Sequence, residues 1–111
     1  MIDVNTLKDA LVELSDKEDQ LRLWARIDNK TGEISSFEEA TVEAFDSSGV
    51  AKLISRGETD APDYDDLLPL MLELGQAVDA VDTRLPPVIM IASEAMERVR
   101  SIAYKVLTHL Q

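Results

Sequence analysis

The chain of 111 residues contains no cysteine and only one histidine, His109. Disulfide bonds and thiolate metal sites are therefore excluded, as are catalytic or metal sites that need several histidines. We expect His109 itself to face solvent at the end of a helix. The sequence also contains no phosphate-binding glycine loop and no Gly-x-Ser-x-Gly motif, so nothing supports a nucleotide or acyl-transfer site. We predict that the protein is not an enzyme and that it needs no cofactor and no metal.

Long apolar runs are also missing. No stretch approaches the ~20 apolar residues that cross a bilayer, and the first residues lack the basic start and apolar core of a signal peptide. We therefore expect a cytoplasmic protein.

Basic residues are scarce, with 11 Lys and Arg against 22 Asp and Glu and a net charge of −11. Residues 57–85 hold eight acidic residues and one basic residue. A protein with this charge repels nucleic acid and anionic membranes and attracts basic proteins. We predict a basic protein partner, and neither nucleic acid nor membrane.

Apolar residues separated by alternating steps of four and three form the most regular pattern, at Leu67, Met71, Leu74, Val78, Val81 and Leu85. This spacing predicts one face of a helix that packs along another helix. Asp65 or Asp66 would cap it, Pro69 fits its first turn, and it would run to about Arg84 before Pro86-Pro87.

A second periodic stretch begins after Ser93, the predicted cap of the last helix, and repeats through Met96, Val99, Ala103, Val106 and Leu110. We predict an all-α fold in which residues 1–111 form a single domain of four to five helices. An antiparallel pair formed by residues 67–84 and 93–110 would lie at its centre. Residues 88–91 are too few to classify by period, and an extended conformation is one interpretation.

The first helix is predicted to begin at Thr6 and to run to about Ile27, with Trp24 in the core. A break near Ser15 is one alternative. Another is a small β-hairpin across residues 21–36, with its turn at residues 29–32. Ser36 and Glu39 then form a capping box that starts a helix, with Phe37, Ala40, Ala44 and Phe45 on one face and Gly49 at its end.

The residues between these helical patterns resemble an EF-hand calcium loop. With Gly32 as the central glycine, Asn29, Thr31 and Glu38 fall at ligand positions and Ile34 at the apolar position. The first ligand position becomes Ile27, which has no oxygen to offer. The resemblance therefore implies calcium affinity no better than about millimolar.

Acidic residues crowd the segment before the central helix. We predict that this exposed loop binds the partner through Glu58, Asp60, Asp63, Tyr64, Asp65 and Asp66. The carboxylates would attract basic side chains and Tyr64 would supply an aromatic contact.

These features favour a non-enzymatic acidic protein that binds and neutralises or regulates a basic protein, as bacterial immunity proteins and antitoxins of similar size and charge do. One alternative is a helical module that binds a divalent cation through the loop that resembles an EF-hand. Another is a structural or assembly protein that self-associates into homo-oligomers through an exposed helical face.

Overall fold

The computed structural model describes residues 3–25, 35–50 and 67–110, and all regular structure in these three ranges is helical. The all-α prediction is confirmed for this part of the chain. It contains six α-helices and one π-helical segment: α1 (Val4–Ser15), α2 (Lys17–Leu23), α3 (Phe37–Val42), the π segment (Glu43–Ser47), α4 (Leu67–Asp79), α5 (Pro87–Ile91) and α6 (Glu94–Leu110).

The predicted first helix is in fact two helices, so the single helix to Ile27 was wrong and the break near Ser15 is confirmed. Asp16 has an extended backbone, and its carboxylate accepts hydrogen bonds from the backbone N–H groups of Glu18 and Asp19 at 2.9 and 3.3 Å. The extended backbone of Asp16 ends α1, and its carboxylate caps the N-terminus of α2. In a continuous helix these backbone N–H groups would bond to carbonyls of the preceding turn instead. The start was also misplaced, because Asp3 caps α1 and accepts a hydrogen bond from the Thr6 N–H at 3.2 Å.

The β-hairpin alternative is wrong where it can be assessed, because Leu21 and Leu23 lie in α2. Its turn at residues 29–32 lies outside the described residues. The backbone N–H of Ser35 donates to the carbonyl of Leu23 at 3.1 Å, so α3 begins beside the end of α2.

The helix after Ser36 follows the prediction at both ends. The Ser36 hydroxyl accepts a hydrogen bond from the Glu39 N–H at 3.1 Å, and Phe37, Ala40 and Ala44 are buried. Gly49 ends the segment with φ of 88°, a left-handed conformation that glycine adopts without strain. The π segment before it was not predicted.

Helix α4 is shorter than predicted. It ends at Asp79, although Val81 beyond it is buried and Leu85 packs against the core. The Asp82 carboxylate accepts a hydrogen bond from the backbone N–H of Arg84 at 3.0 Å, which stabilises a turn where the sequence pattern indicated helix. Asp65 and Asp66, the predicted caps of α4, lie outside the described residues.

Helix α5 corrects the extended interpretation of residues 88–91. Pro87 occupies its first turn, where the missing N–H costs no hydrogen bond, and Met90 and Ile91 are buried. The prediction for α6 is confirmed, since the Ser93 hydroxyl accepts a hydrogen bond from the Met96 N–H at 3.2 Å. Its buried face consists of Met96, Val99, Ile102, Ala103 and Val106.

One hydrophobic core joins the described helices, and α6 packs against both α1 and α4. Gln20 of α2 is fully buried in this core. Its Nε2 donates to the carbonyls of Glu13 and Leu14 at 3.1 and 2.8 Å, which satisfies two acceptors in the last turn of α1. Its Oε1 accepts a hydrogen bond from Arg100 Nη1 on α6 at 2.9 Å.

Arg100 also donates to the carbonyl of Ile91 in the last turn of α5, at 2.8 Å. Burial lowers the pKa of Arg100 from its usual value, and the charge of Glu97 partly opposes this shift. The polar network of Gln20 and Arg100 therefore connects four helices: α1, α2, α5 and α6. None of the helices in the described ranges is long and apolar enough to cross a membrane.

Candidate functional site

The predicted partner-binding loop lies outside the described residues, as do all six of its residues: Glu58, Asp60, Asp63, Tyr64, Asp65 and Asp66. Its role stays a prediction. The same holds for Ile27, Asn29, Thr31, Gly32 and Ile34 of the loop that resembles an EF-hand. Glu38, the last ligand position of that loop, is described and is exposed in the first turn of α3.

Helix α3 and the π segment present an acidic surface that was not predicted as a binding site from the sequence. Glu38, Glu39, Glu43 and Asp46 are all exposed, and residues 35–50 contain no Lys or Arg. Part of this surface is concave. A groove of about 420 Å³, here called the acidic groove, is lined by Glu38, Glu39, Val42, Glu43 and Ser47.

A cleft of about 280 Å³ lies beside the acidic groove and shares Glu38 with it. We call it the Trp24 cleft. Most of its walls are apolar. Its lining residues come from the end of α2, the start of α3, the turn after α4, and α5: Trp24, Ser36, Phe37, Glu38, Thr83, Leu85, Pro87 and Met90.

Trp24 is held in place by two contacts. Its indole Nε1 donates to Glu13 Oε2 at 2.8 Å, and the same oxygen accepts a hydrogen bond from the Ser35 hydroxyl at 2.8 Å. The ring of Phe37 meets the indole edge to face, with centroids 5.7 Å apart and an interplanar angle of 78°. Trp24 is only 6% exposed, so its predicted place in the core is confirmed, and it also forms part of the cleft wall.

The turn on the other side of the cleft carries a paired cation. Arg84 Nε lies 3.0 Å from Asp82 Oδ1, and Nη2 lies 3.3 Å from Oδ2. The hydrogen bond to Asp82 raises the pKa of Arg84, and the reciprocal bond lowers the pKa of Asp82. The two charges offset one another, so this turn does not cancel the negative charge of Glu38.

Four consecutive apolar residues next to the cleft are exposed: Pro86, Pro87, Val88 and Ile89, which we call the 86–89 run. The exposed fractions of Val88 and Ile89 are 49% and 55%. Neither the cleft nor this run was predicted from the sequence. The one signal for the run was Pro86-Pro87 before an apolar stretch, which fits the start of a short helix as well as an extended segment.

Metal ligands and the single histidine complete the description of the titratable groups. No three His, Asp or Glu side chains in the described ranges are arranged to hold a metal ion. His109 is exposed in the last turn of α6, as predicted. Residues 35–50 and the Trp24 cleft together place exposed carboxylates next to mainly apolar walls.

No protein-family model, no curated protein and no solved structure matches this chain.

Proposed function

We propose that this chain is a non-enzymatic acidic protein that binds a basic protein and neutralises or regulates it. One observation carries the proposal: residues 35–50 present four exposed carboxylates and no basic residue, directly beside an apolar cleft. Exposed like charges repel one another, and a basic partner relieves that repulsion on binding. The resemblance in size and charge to bacterial immunity proteins and antitoxins supports this class by analogy alone. A cytoplasmic location is part of the same proposal.

The predicted partner-binding loop adds to the negative charge of the chain. Residues 57–85 hold eight acidic residues and one basic residue, including the predicted contacts Asp60 and Asp63. A field of this sign accelerates the association of a basic partner, and the acceleration falls as salt is added.

The first experiment is capture of partners from the native cell on the immobilised protein, with identification by mass spectrometry. The partner is then purified, and its association rate is measured across a salt series. We expect a basic partner whose association slows as salt rises. Captured proteins that are not basic, or an association rate that salt does not change, would contradict the proposal.

The role of the loop can be tested with the same partner. Changing Asp60 and Asp63 together to Asn should lower the association rate and barely alter folding, because the sequence predicts that both carboxylates are in an exposed loop. A double variant that associates at the parent rate at every salt concentration would show that the loop takes no part.

Two alternatives have direct tests. For calcium, calorimetry should show affinity no better than about millimolar. Micromolar affinity that is lost in Glu38→Gln would instead favour the cation-binding module.

Self-association is favoured by the exposed apolar residues Val88 and Ile89 and opposed by the net charge of −11. A solution mass above 12.3 kDa at low concentration would support it.

We also propose that α4 and α6 run antiparallel at the centre of a single domain. Because the natural chain has no cysteine, pairs of introduced cysteines can carry spin labels at defined sites. Labels at exposed positions Pro69 and Thr108 should be closer together than labels at Pro69 and Glu97. The reverse order would contradict the antiparallel arrangement.

A further inference from the structure

The walls of the Trp24 cleft are held in place by contacts within the chain. The indole of Trp24 is fixed by its hydrogen bond to Glu13 and by the ring of Phe37. Met90 is anchored in the core by α5, with 6% of its surface exposed. A preformed apolar cleft takes an apolar side chain without first reorganising, which lowers the free energy that binding must supply.

The Trp24 cleft is flanked by the acidic groove and by the exposed apolar 86–89 run. Glu38 stands at the boundary between the Trp24 cleft and the acidic groove, and Glu39 and Glu43 continue the negative charge along the groove. On another side the 86–89 run extends the apolar surface beyond the cleft. A ligand that fits both parts must bring an apolar side chain and, a short distance along its own chain, positive charge.

A second copy of this chain does not meet that requirement. It carries the same net charge of −11, with twice as many acidic as basic residues, so two copies repel one another on approach. Acidic peptides and phosphate groups are disfavoured for the same electrostatic reason.

We infer that the Trp24 cleft is the docking site for a basic protein segment, which inserts an apolar side chain beside Trp24 and places Lys or Arg residues along the acidic groove. This inference rests on the proposed function and adds a location to it. The groove supplies charge attraction, which favours fast association. The cleft supplies apolar burial, which slows dissociation.

Trp24 gives a direct signal for this docking, because it is the only tryptophan in the chain and it lines the cleft. The probe is a synthetic peptide without tryptophan, with Leu-Phe at its centre and two Lys on either side. One comparison peptide has Ser-Ser at its centre and the same charge. Another keeps Leu-Phe but replaces each Lys with Glu.

We expect the probe to change the emission of Trp24 in a saturable way, to bind more weakly as salt rises, and to bind more tightly than either comparison peptide. Equal binding of the Ser-Ser peptide would overturn the inference, since charge alone would then account for binding. So would binding of the probe with no change in Trp24 emission.

Glu38→Lys has a closely matched control in Glu18→Lys. Both glutamates are exposed and are the second residue of a capped helix, α3 and α2 respectively, so both changes have the same effect on the helix dipole. Only Glu38 lines the Trp24 cleft. Glu38→Lys should weaken the probe by about fivefold or more, because one attraction becomes a repulsion, and Glu18→Lys should weaken it less. Equal weakening would overturn the inference.

Thr83→Phe tests the apolar half separately, because Thr83 is exposed and lines the cleft, so a larger side chain there obstructs it. Circular dichroism checks that the variant is folded. The variant should lose the response of Trp24 to the probe, whereas an unchanged response would contradict docking in the cleft.

The captured basic partner separates this inference from the proposed function. If the partner binds the Glu38→Lys, Thr83→Phe double variant as tightly as it binds the parent, the docking site is wrong and the proposed function stands. If no basic partner with salt-dependent association is found, the proposed function fails, whatever the peptides show.

Discussion

Replacing Gln20 with Met tests how much the buried polar network contributes to stability. Gln20 is fully buried and takes part in three hydrogen bonds, two to carbonyls of α1 and one from Arg100. Methionine has a similar length and volume but can make none of these bonds. The substitution therefore removes the polar contacts with little change in packing.

The expected loss follows from the kinds of bond involved. Each of the two neutral bonds contributes about 0.5–1.5 kcal/mol, and the bond from the guanidinium group contributes about 1.5–3 kcal/mol. Arg100 keeps its bond to the Ile91 carbonyl, so the lower values apply to it. We expect the free energy of unfolding to fall by about 2.5–4.5 kcal/mol, a large fraction of the about 5–15 kcal/mol that stabilises a typical domain.

Urea unfolding followed by circular dichroism measures this loss. With a slope of about 2 kcal/mol per molar urea, the midpoint should fall by about 1.3–2.3 M. Gln76→Met is the matched control, because Gln76 is exposed on α4 and its replacement should change stability by no more than about 0.5 kcal/mol. If Gln20→Met costs no more than this control, the network does not stabilise the fold and the reasoning is refuted.

Three further predictions concern other parts of the fold. Gly75→Ala should raise the free energy of unfolding by about 0.5–1 kcal/mol, because alanine favours helix more than glycine does. The added Cβ would lie 3.7 Å from the ring of Phe45, which is an ordinary contact distance. A loss of stability would show that the space is too small for the methyl group. Val99→Asp should unfold or severely weaken the protein, because it buries an unpaired carboxylate, whereas Ser101→Asp on the exposed face of α6 should lower the melting temperature far less. The pKa of Asp3 lies below its usual value, mainly because its carboxylate accepts a hydrogen bond from the Thr6 N–H. The ionised carboxylate therefore stabilises the folded protein at pH values above the pKa of Asp3 in the unfolded chain. This stabilisation is lost as the pH falls through the lower pKa of Asp3 in the folded protein. Unfolding measured from pH 7 to pH 2 should therefore show a smaller acid loss in Asp3→Asn than in the parent, and identical pH profiles would contradict this.

The faces of the helices could be predicted from sequence where apolar residues alone define them. Leu67, Met71 and Leu74 of α4 and Val99 and Val106 of α6 are all buried, as their spacing indicated. The pattern was less informative about where helices end. Val81 and Leu85 continue the phase of α4 although they follow its last residue, since a turn can keep side chains on the same side as a helix does.

The polar core and the Trp24 cleft could not be predicted in this way. Gln20 is polar, so a search for apolar periodicity passes over it, and only its bonds to α1 and α6 make its burial favourable. The cleft joins Trp24, Phe37 and Met90, which are far apart in sequence and share no common spacing. Such a site is formed by tertiary packing, and a single sequence carries no local signal for it.

The packing of α1 against α6 determines when the protein can fold during synthesis. The apolar face of α1 emerges from the ribosome early, yet part of the surface that covers it belongs to α6, which ends at Leu110. At about 5–20 residues per second, translation from Ser15 to Leu110 takes roughly 5–20 s. Throughout that interval Leu7, Leu11 and Leu14, which are buried in the folded protein, lack the part of their cover that α6 supplies, and this exposes the nascent chain to aggregation. A chain cut before α6 would keep that exposure permanently.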